Sequence, residues 1–305
     1  MNKKIFGSLI IFIGVFLVSF GGLIVKSFET QDPWQILFWR QLFFAITIFI
    51  FLLLKYKKNI IKSIYKSGLV SFLTGIGLFF GFVAYVYSML NTSVANVNFI
   101  MTTQVIFLSV FGFIFLKEKF GFVTFFSVLI ALIGVSIIFT NSINVGDLKG
   151  NIIALAMPLC FAGIVILVKK FPNSDLTLSG FIGSILVIIY ALFVCDNIVV
   201  SRNDFYLASI AGIFQNGLPF ILLVLASKYI SSVVIGLTML LEAVLGPIWA
   251  YLFIKDIPTL NVFIGGIFIL IGVILRLYFT INKNKMRDRE WKRTRLPTAR
   301  KCINF

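Results

Sequence analysis

Glu242 stands tenth in an apolar run of 22 residues, Val233–Ile254, that contains no other acid or base. A run of this length crosses a ~30 Å hydrocarbon layer as a helix, so the carboxylate belongs near the midplane. An ionised group facing lipid there costs about 2.5–3.5 kcal/mol on insertion scales. Glu242 must therefore face a wet cavity, pair with a cation, or carry a proton. Substrate binding and proton coupling suit such a group; a structural ion pair is the alternative. Arg40 poses the complementary problem six residues inside the run Trp34–Leu54, roughly 9 Å deep at the rise of a helix. Its planar fork suits a substrate carboxylate, but it could equally neutralise Glu242 or snorkel to the interface. Arg276, close to the end of the last apolar run, reads as a snorkelling group drawn to lipid phosphates.

Other polar residues are few enough in these runs to be informative. Gln104, Asn98 and Thr102 lie in Val94–Leu116 with Asn96 and Thr103, and Asn98 and Thr102, four apart, share a helix face. Hydrogen bonds between helices, about 0.6 kcal/mol each, are the structural reading of these groups. Gln215-Asn216-Gly217-Leu218-Pro219 interrupts the run Phe205–Leu225 with two amides and a helix breaker, which suggests a weakened helix with carbonyls freed beside a cavity. Pro158 and Pro247 mark kinks. Trp39 and Tyr85 either shape an apolar subsite or anchor the interface, and Trp34 is placed to anchor. Gly77-x-x-x-Gly81 predicts a close helix contact inside the bundle, and a homodimer stays open.

Several chemistries are excluded. The chain has no histidine, and Cys160, Cys195 and Cys302 are scattered without metal-ligand spacing, so no metal site is expected. No phosphate-cradling Gly-x-x-x-x-Gly-Lys-Ser/Thr loop, His-Glu-x-x-His or Gly-x-Ser-x-Gly occurs. No cofactor and no enzymatic activity are expected; a lipid-linked transferase is the enzyme reading kept as an alternative, beside a passive channel or scaffold.

The elements that must position these residues follow from composition. Sixty per cent of the 305 residues are hydrophobic and 12% charged, with a mean hydropathy of +1.05, far from the balance of a soluble domain. In lipid every backbone amide must be satisfied within its element, and runs of about 20 residues select helices over barrel strands. Ten runs emerge: Ile5–Val25, Trp34–Leu54, Gly68–Leu90, Val94–Leu116, Phe120–Thr140, Ile152–Val168, Leu176–Cys195, Phe205–Leu225, Val233–Ile254 and Leu260–Phe279. The first follows Met1-Asn2-Lys3-Lys4 but is too long for a signal-peptide core, so it is read as an uncleaved span. With the N-terminus inside, twenty-one Lys and Arg fall on that side and four (Lys26, Lys149, Arg202, Lys255) on the other. This bias places both termini in the cytoplasm. The tail from 282 carries nine basic and two acidic residues, a segment drawn to the anionic inner leaflet; no nucleic-acid-binding motif accompanies its charge.

An internal repeat is legible at an offset of 138, where Phe115, Lys117, Phe125 and Leu132-Ile133-Gly134-Val135 meet Phe253, Lys255, Phe263 and Leu270-Ile271-Gly272-Val273. Glu118 and Asp256 follow the two lysines. In this register Gln104 is the counterpart of Glu242. Five spans per repeat invert the second copy, the logic of secondary transporters whose sites lie at the repeat interface.

Pro33 followed by Arg40, Lys26 at the end of the first run, Glu242 in the ninth, and the endings Lys117-Glu118…Ile133-Gly134-Val135 and Lys255-Asp256…Ile271-Gly272-Val273 resemble the EamA-type members of the drug/metabolite transporter superfamily over about residues 5–281. The resemblance implies an all-α integral membrane protein of ten transmembrane helices, arranged as two inverted five-helix repeats around a central cavity. The repeats would occupy 1–145 and 146–281, with a basic cytoplasmic tail at 282–305. It implies export or uptake of small metabolites across a bacterial cytoplasmic membrane. A carboxylate and a guanidinium in one cavity suit a zwitterion, so an amino acid or related amine is the expected small-molecule substrate, moved by alternating access and driven by a gradient.

Overall fold

The computed structural model describes residues 3–57, 60–117, 121–145, 147–171, 175–227, 229–230, 232–275 and 278–279. Arg276, Glu118 and the basic tail lie outside them. Among the described residues every regular element is a helix. Eight are long and apolar enough to cross a membrane: α1 (Ile5–Lys26), α2 (Pro33–Tyr56), α3 (Gly68–Asn91), α4 (Val94–Leu116), α5 (Phe122–Phe139), α6 (Leu148–Lys170), α7 (Leu176–Val194) and α8 (Arg202–Ala226). Two shorter apolar helices follow, α9 (Thr238–Ile254) and α10 (Leu260–Leu275). Helix α9 belongs to a longer helical stretch, Ser232–Ile254.

Short polar side chains start several of these helices by accepting backbone N–H groups that have no partner in the first turn. Asp32 accepts from Trp34 N ahead of α2, with Pro33 opening the helix. Ser93 accepts from Asn96 N at α4, Asp175 from Thr177 N at α7 and Ser201 from Asp204 N at α8. The helices overrun several of the apolar windows. Helix α6 extends past Ile152–Val168 to Lys170, and α8 begins at Arg202 rather than Phe205, because a charged residue at a helix end reaches water along its own stem.

Helix α1 breaks at Ser19 and Phe20, where the Ser19 hydroxyl donates back to Phe16 O (2.7 Å) just before Gly21-Gly22. Helix α8 stays helical where the sequence suggested an interruption, but widens into a π-helical turn over Ala211–Gly217. Pro219 has no N–H to give Gln215 O, and the wider turn accommodates that loss while carrying Gln215 and Asn216.

The repeat register is visible in three dimensions. A Cβ on Gly134 of α5 would overlap Gly265 O and come within 2.9 Å of Ile269 N, both on α10. A Cβ on Gly272, its counterpart, would lie 2.7 Å from Ser127 O and 3.1 Å from Ala131 N on α5. Adding 138 to Ser127, Ala131 and Gly134 gives Gly265, Ile269 and Gly272, so α5 and α10 cross through one contact made twice. Lys117 and Lys255 share the register and both take left-handed backbone, at φ 53° and 55°. Extensive packing joins the halves: α2 and α3 lie against α7, α3 and α4 against α6, and α1 and α4 against the stretch containing α9. Gly77 meets the Ile164 side chain of α6 inside the bundle, whereas nothing lies within 4 Å of a Cβ on Gly81.

Candidate functional site

Helices α4 and α9, one from each half, bring four of the singled-out residues to one cavity. Asn98, Thr102, Gln104 and Glu242 line it with Met101, Val105, Met239, Leu240 and Ala243, and it holds about 20 Å³, the room of a single water. Glu242 is half-buried. Its backbone carbonyl accepts from Asn98 Nδ2 (3.3 Å), which reaches α9 because residue 246 is glycine; a Cβ there would overlap the amide. Asn98 Oδ1 is buried without a partner. Gln104 Nε2 stands 4.0 Å from Met239 Sδ, a weak acceptor. The Thr102 hydroxyl donates to Phe99 O (2.7 Å) on its own helix. Where the resemblance implies a central cavity, the structure holds a small space at the seam between the halves, lined by both polar and apolar side chains.

Arg40 forms a second cluster. It is 2% exposed, so it neither snorkels nor faces lipid. Nη2 donates to Gln215 Oε1 on the π turn of α8 (3.2 Å), and the guanidinium lies over the Tyr85 ring of α3, 4.9 Å from its centroid. Among the described residues no ion pair joins Arg40 to Glu242. Tyr85 belongs to the Arg40 cluster. Asn216 follows Gln215 on the turn, half-buried, with Nδ2 unpartnered. Trp39 belongs to neither cluster: its Nε1 donates to Ile198 O (2.7 Å) and its ring packs edge-on against Phe205, at an end of the bundle. It anchors the connection between α7 and α8.

Ion pairs that cross between the halves stand at both ends. At one end Lys26 Nζ donates to Asp256 Oδ2 (2.9 Å), which also accepts Val94 N at the start of α4. Asn96, Thr92 and Asn151 continue the network to Asp147 and α6. Burial pushes the Asp147 carboxyl up, the nearby Asp256 adds to this, and Thr92 and Lys26 oppose it. Clefts of about 400 and 340 Å³ flank the Lys26–Asp256 pair. At the opposite end Lys55 pairs with Asp175 (3.0 Å), which also accepts from Tyr56 and Thr177.

Burial acts to raise the Asp175 carboxyl, but Thr177, Tyr56 and Lys55 outweigh it and hold it below the usual carboxylate range. A carboxylate lowered on folding contributes stability above its unfolded value of ~3.9, and loses it as pH falls through the folded value. The thermal midpoint of detergent-purified protein should therefore drop below about pH 4. Asp175→Ala should cost about 1 kcal/mol at neutral pH, the scale of one lost N-cap, and flatten that drop. Midpoints measured from pH 3 to 7 check both.

Similarity to known proteins decides the class of this fold. The model of the EamA-like transporter family matches residues 5–140 and matches again over 148–278. The chain belongs to the EamA-like transporter family. An uncharacterized transporter of Clostridium kluyveri is 25% identical over 197 residues, covering 60% of this chain and 63% of that relative, so the match spans less than two thirds of the relative's length. A solved crystal structure shares the fold at a TM-score of 0.60 and 14% identity, covering 90% of this chain and 97% of that one. The two family matches meet between α5 and α6, so the Glu242 cavity of this EamA-like chain lies on the seam between its repeats. Sequence reasoning missed Ser19, Gly21 and Trp249. Trp249 Nε1 donates to Ser19 Oγ (3.0 Å) and stacks on Phe20 (4.8 Å) at the α1 break. The Gly21-Gly22 pair was the available signal.

Proposed function

We propose that this EamA-like protein is a ten-helix secondary transporter that moves an amino acid or related amine by alternating access, with the ammonium bound at Glu242. The observation that carries this reading is the placement of Glu242 and its repeat counterpart Gln104 on one small cavity between the halves, with cross-repeat ion pairs at both ends. Asn98 and Thr102 complete the ammonium site. A cavity of about 20 Å³ is far below the ~300 Å³ of the smaller ligand pockets, so a solute enters only when one half rocks against the other and one ion pair parts. The inverted repeat makes the two openings equivalent alternatives. The lysine-rich end faces the cytoplasm of a bacterium with both termini, and the basic tail lies on anionic lipid.

Asp256→Asn removes the charge from one latch while keeping its shape. In a Thr102→Cys background, with the native cysteines replaced, this change should speed labelling of the new thiol by a membrane-impermeant maleimide added from the outside about tenfold. An unchanged rate would separate that end of the bundle from access to the cavity. Lys55→Met should instead speed labelling from the lysine-rich side.

A further inference from the structure

Arg40 is 2% exposed, and among the described residues only its Nη2 has a hydrogen-bond partner, Nε and Nη1 having none. Among the described residues no carboxylate pairs with it. A buried guanidinium offers five N–H donors, and a cation held in the interior without a counter-anion is destabilising. Its neighbours add donors. Gln215, having accepted from Arg40 through Oε1, turns its Nε2 toward Gly21 of α1, and Tyr85 Oη approaches the same residue. A Cβ on Gly21 would overlap Tyr85 Oη and lie 2.5 Å from Gln215 Nε2. Glycine at 21 is what lets both groups reach this wall, beside the break in α1.

We infer that Arg40, Tyr85 and Gln215 form a carboxylate-binding subsite, admitted by Gly21 and separate from Glu242, so the transported solute carries a carboxylate as well as an amine. This rests on the transport reading for its use, though not for the binding itself. A guanidinium, an amide N–H and a phenol O–H meet the two oxygens of a carboxylate. One positive charge balances one carboxylate, whereas a phosphate dianion would leave a negative charge buried. The carboxylate of the solute supplies the counter-charge that no side chain among the described residues gives Arg40. An amine without a carboxylate binds at Glu242 alone.

Two measurements test this. The first needs no transport. Detergent-purified protein is titrated with propionate, inorganic phosphate or chloride at equal ionic strength, and the thermal midpoint is read. Propionate should raise it in the wild type but not in Arg40→Gln or Gly21→Ala, and Tyr85→Phe should reduce the response. Arg40→Met should start from a higher midpoint than the wild type, since an unpaired buried charge is gone, whereas a purely structural arginine would give a lower one. Phosphate stabilising in place of propionate, or a propionate response retained in Arg40→Gln, overturns the subsite. The second is counterflow competition by amino acids and their decarboxylated amines. Arg40→Gln should weaken the acids about 10- to 100-fold, the range of a charge-assisted hydrogen bond, and leave the amines unchanged. Equal weakening of both overturns the assignment. Exchange absent from the wild type, with the propionate response intact, would sink the transport reading and leave the subsite standing.

Discussion

Gly134→Val should leave less than a tenth of the chain folded and monodisperse, and Gly272→Val should do the same. At both positions the added carbons meet backbone on the opposing helix, the Gly265 carbonyl and Ile269 amide in one case and the Ser127 carbonyl and Ala131 amide in the other. A side chain can rotate aside; a carbonyl can yield only if α5 and α10 separate. Overpacking in cores costs about 1–3 kcal/mol when side chains yield, and backbone against backbone belongs at or above the top of that range. Transmembrane helices associate through this kind of packing, because lipid is as apolar as leucine and gives no hydrophobic drive between them. The two variants should fail alike because they disturb the same contact from its two ends. Gly81→Ala and Gly163→Ala are the controls: nothing lies within 4 Å of either Cβ, and alanine should be neutral or stabilising by about 0.5–1 kcal/mol, as in any helix interior. Size-exclusion profiles of fluorescently tagged variants measure all four.

Glu242→Gln should keep the fold and reduce exchange by about 100-fold. Glutamine has nearly the same shape, and the packing contact made through residue 242, the Asn98 amide on its backbone carbonyl, does not involve the side chain. What disappears is the negative charge facing the seam. A charge-assisted hydrogen bond contributes about 1.5–3 kcal/mol, close to a factor of 10–150 at 1.4 kcal/mol per tenfold. Gln104→Ala, across the cavity, removes a neutral amide and should cost about tenfold or less. Glu242→Asp keeps the charge but withdraws it by one carbon, so it should fall between Glu242→Gln and the wild type. That order separates a binding role from packing, because packing alone would make the shortened side chain the worse of the two.

Much of the fold was legible because a membrane makes sequence one-dimensional: a helix must be apolar for about 20 residues, and charges mark its ends. The offset of 138 could be read from Lys117 and Lys255 with their flanking Phe and Gly residues, and both lysines take the same rare backbone conformation. The ends of helices were less legible, since Lys170 and Arg202 extend α6 and α8 into what hydropathy treats as loop. Of the polar residues, Asn98, Thr102, Gln104 and Glu242 line one cavity, the last two being counterparts at the repeat offset. Which partner Arg40 takes could not be read, because it depends on a π turn that places Gln215 beside it. Trp39 was ambiguous for a similar reason: a hydrogen bond to the loop carbonyl of Ile198 settles its place. Gly21 carried no sequence signal beyond its neighbour Gly22, since its importance lies in side chains arriving from α3 and α8.

The most direct test of the account is counterflow in proteoliposomes loaded with a mixture of unlabelled amino acids, following entry of each labelled amino acid with the intact protein and with Glu242→Gln. The account predicts saturable exchange of at least one amino acid by the intact protein and its loss, about 100-fold, in the folded variant. Exchange that survives Glu242→Gln unchanged would remove Glu242 from the cycle, and conduction of ions without saturable exchange would contradict the transporter itself.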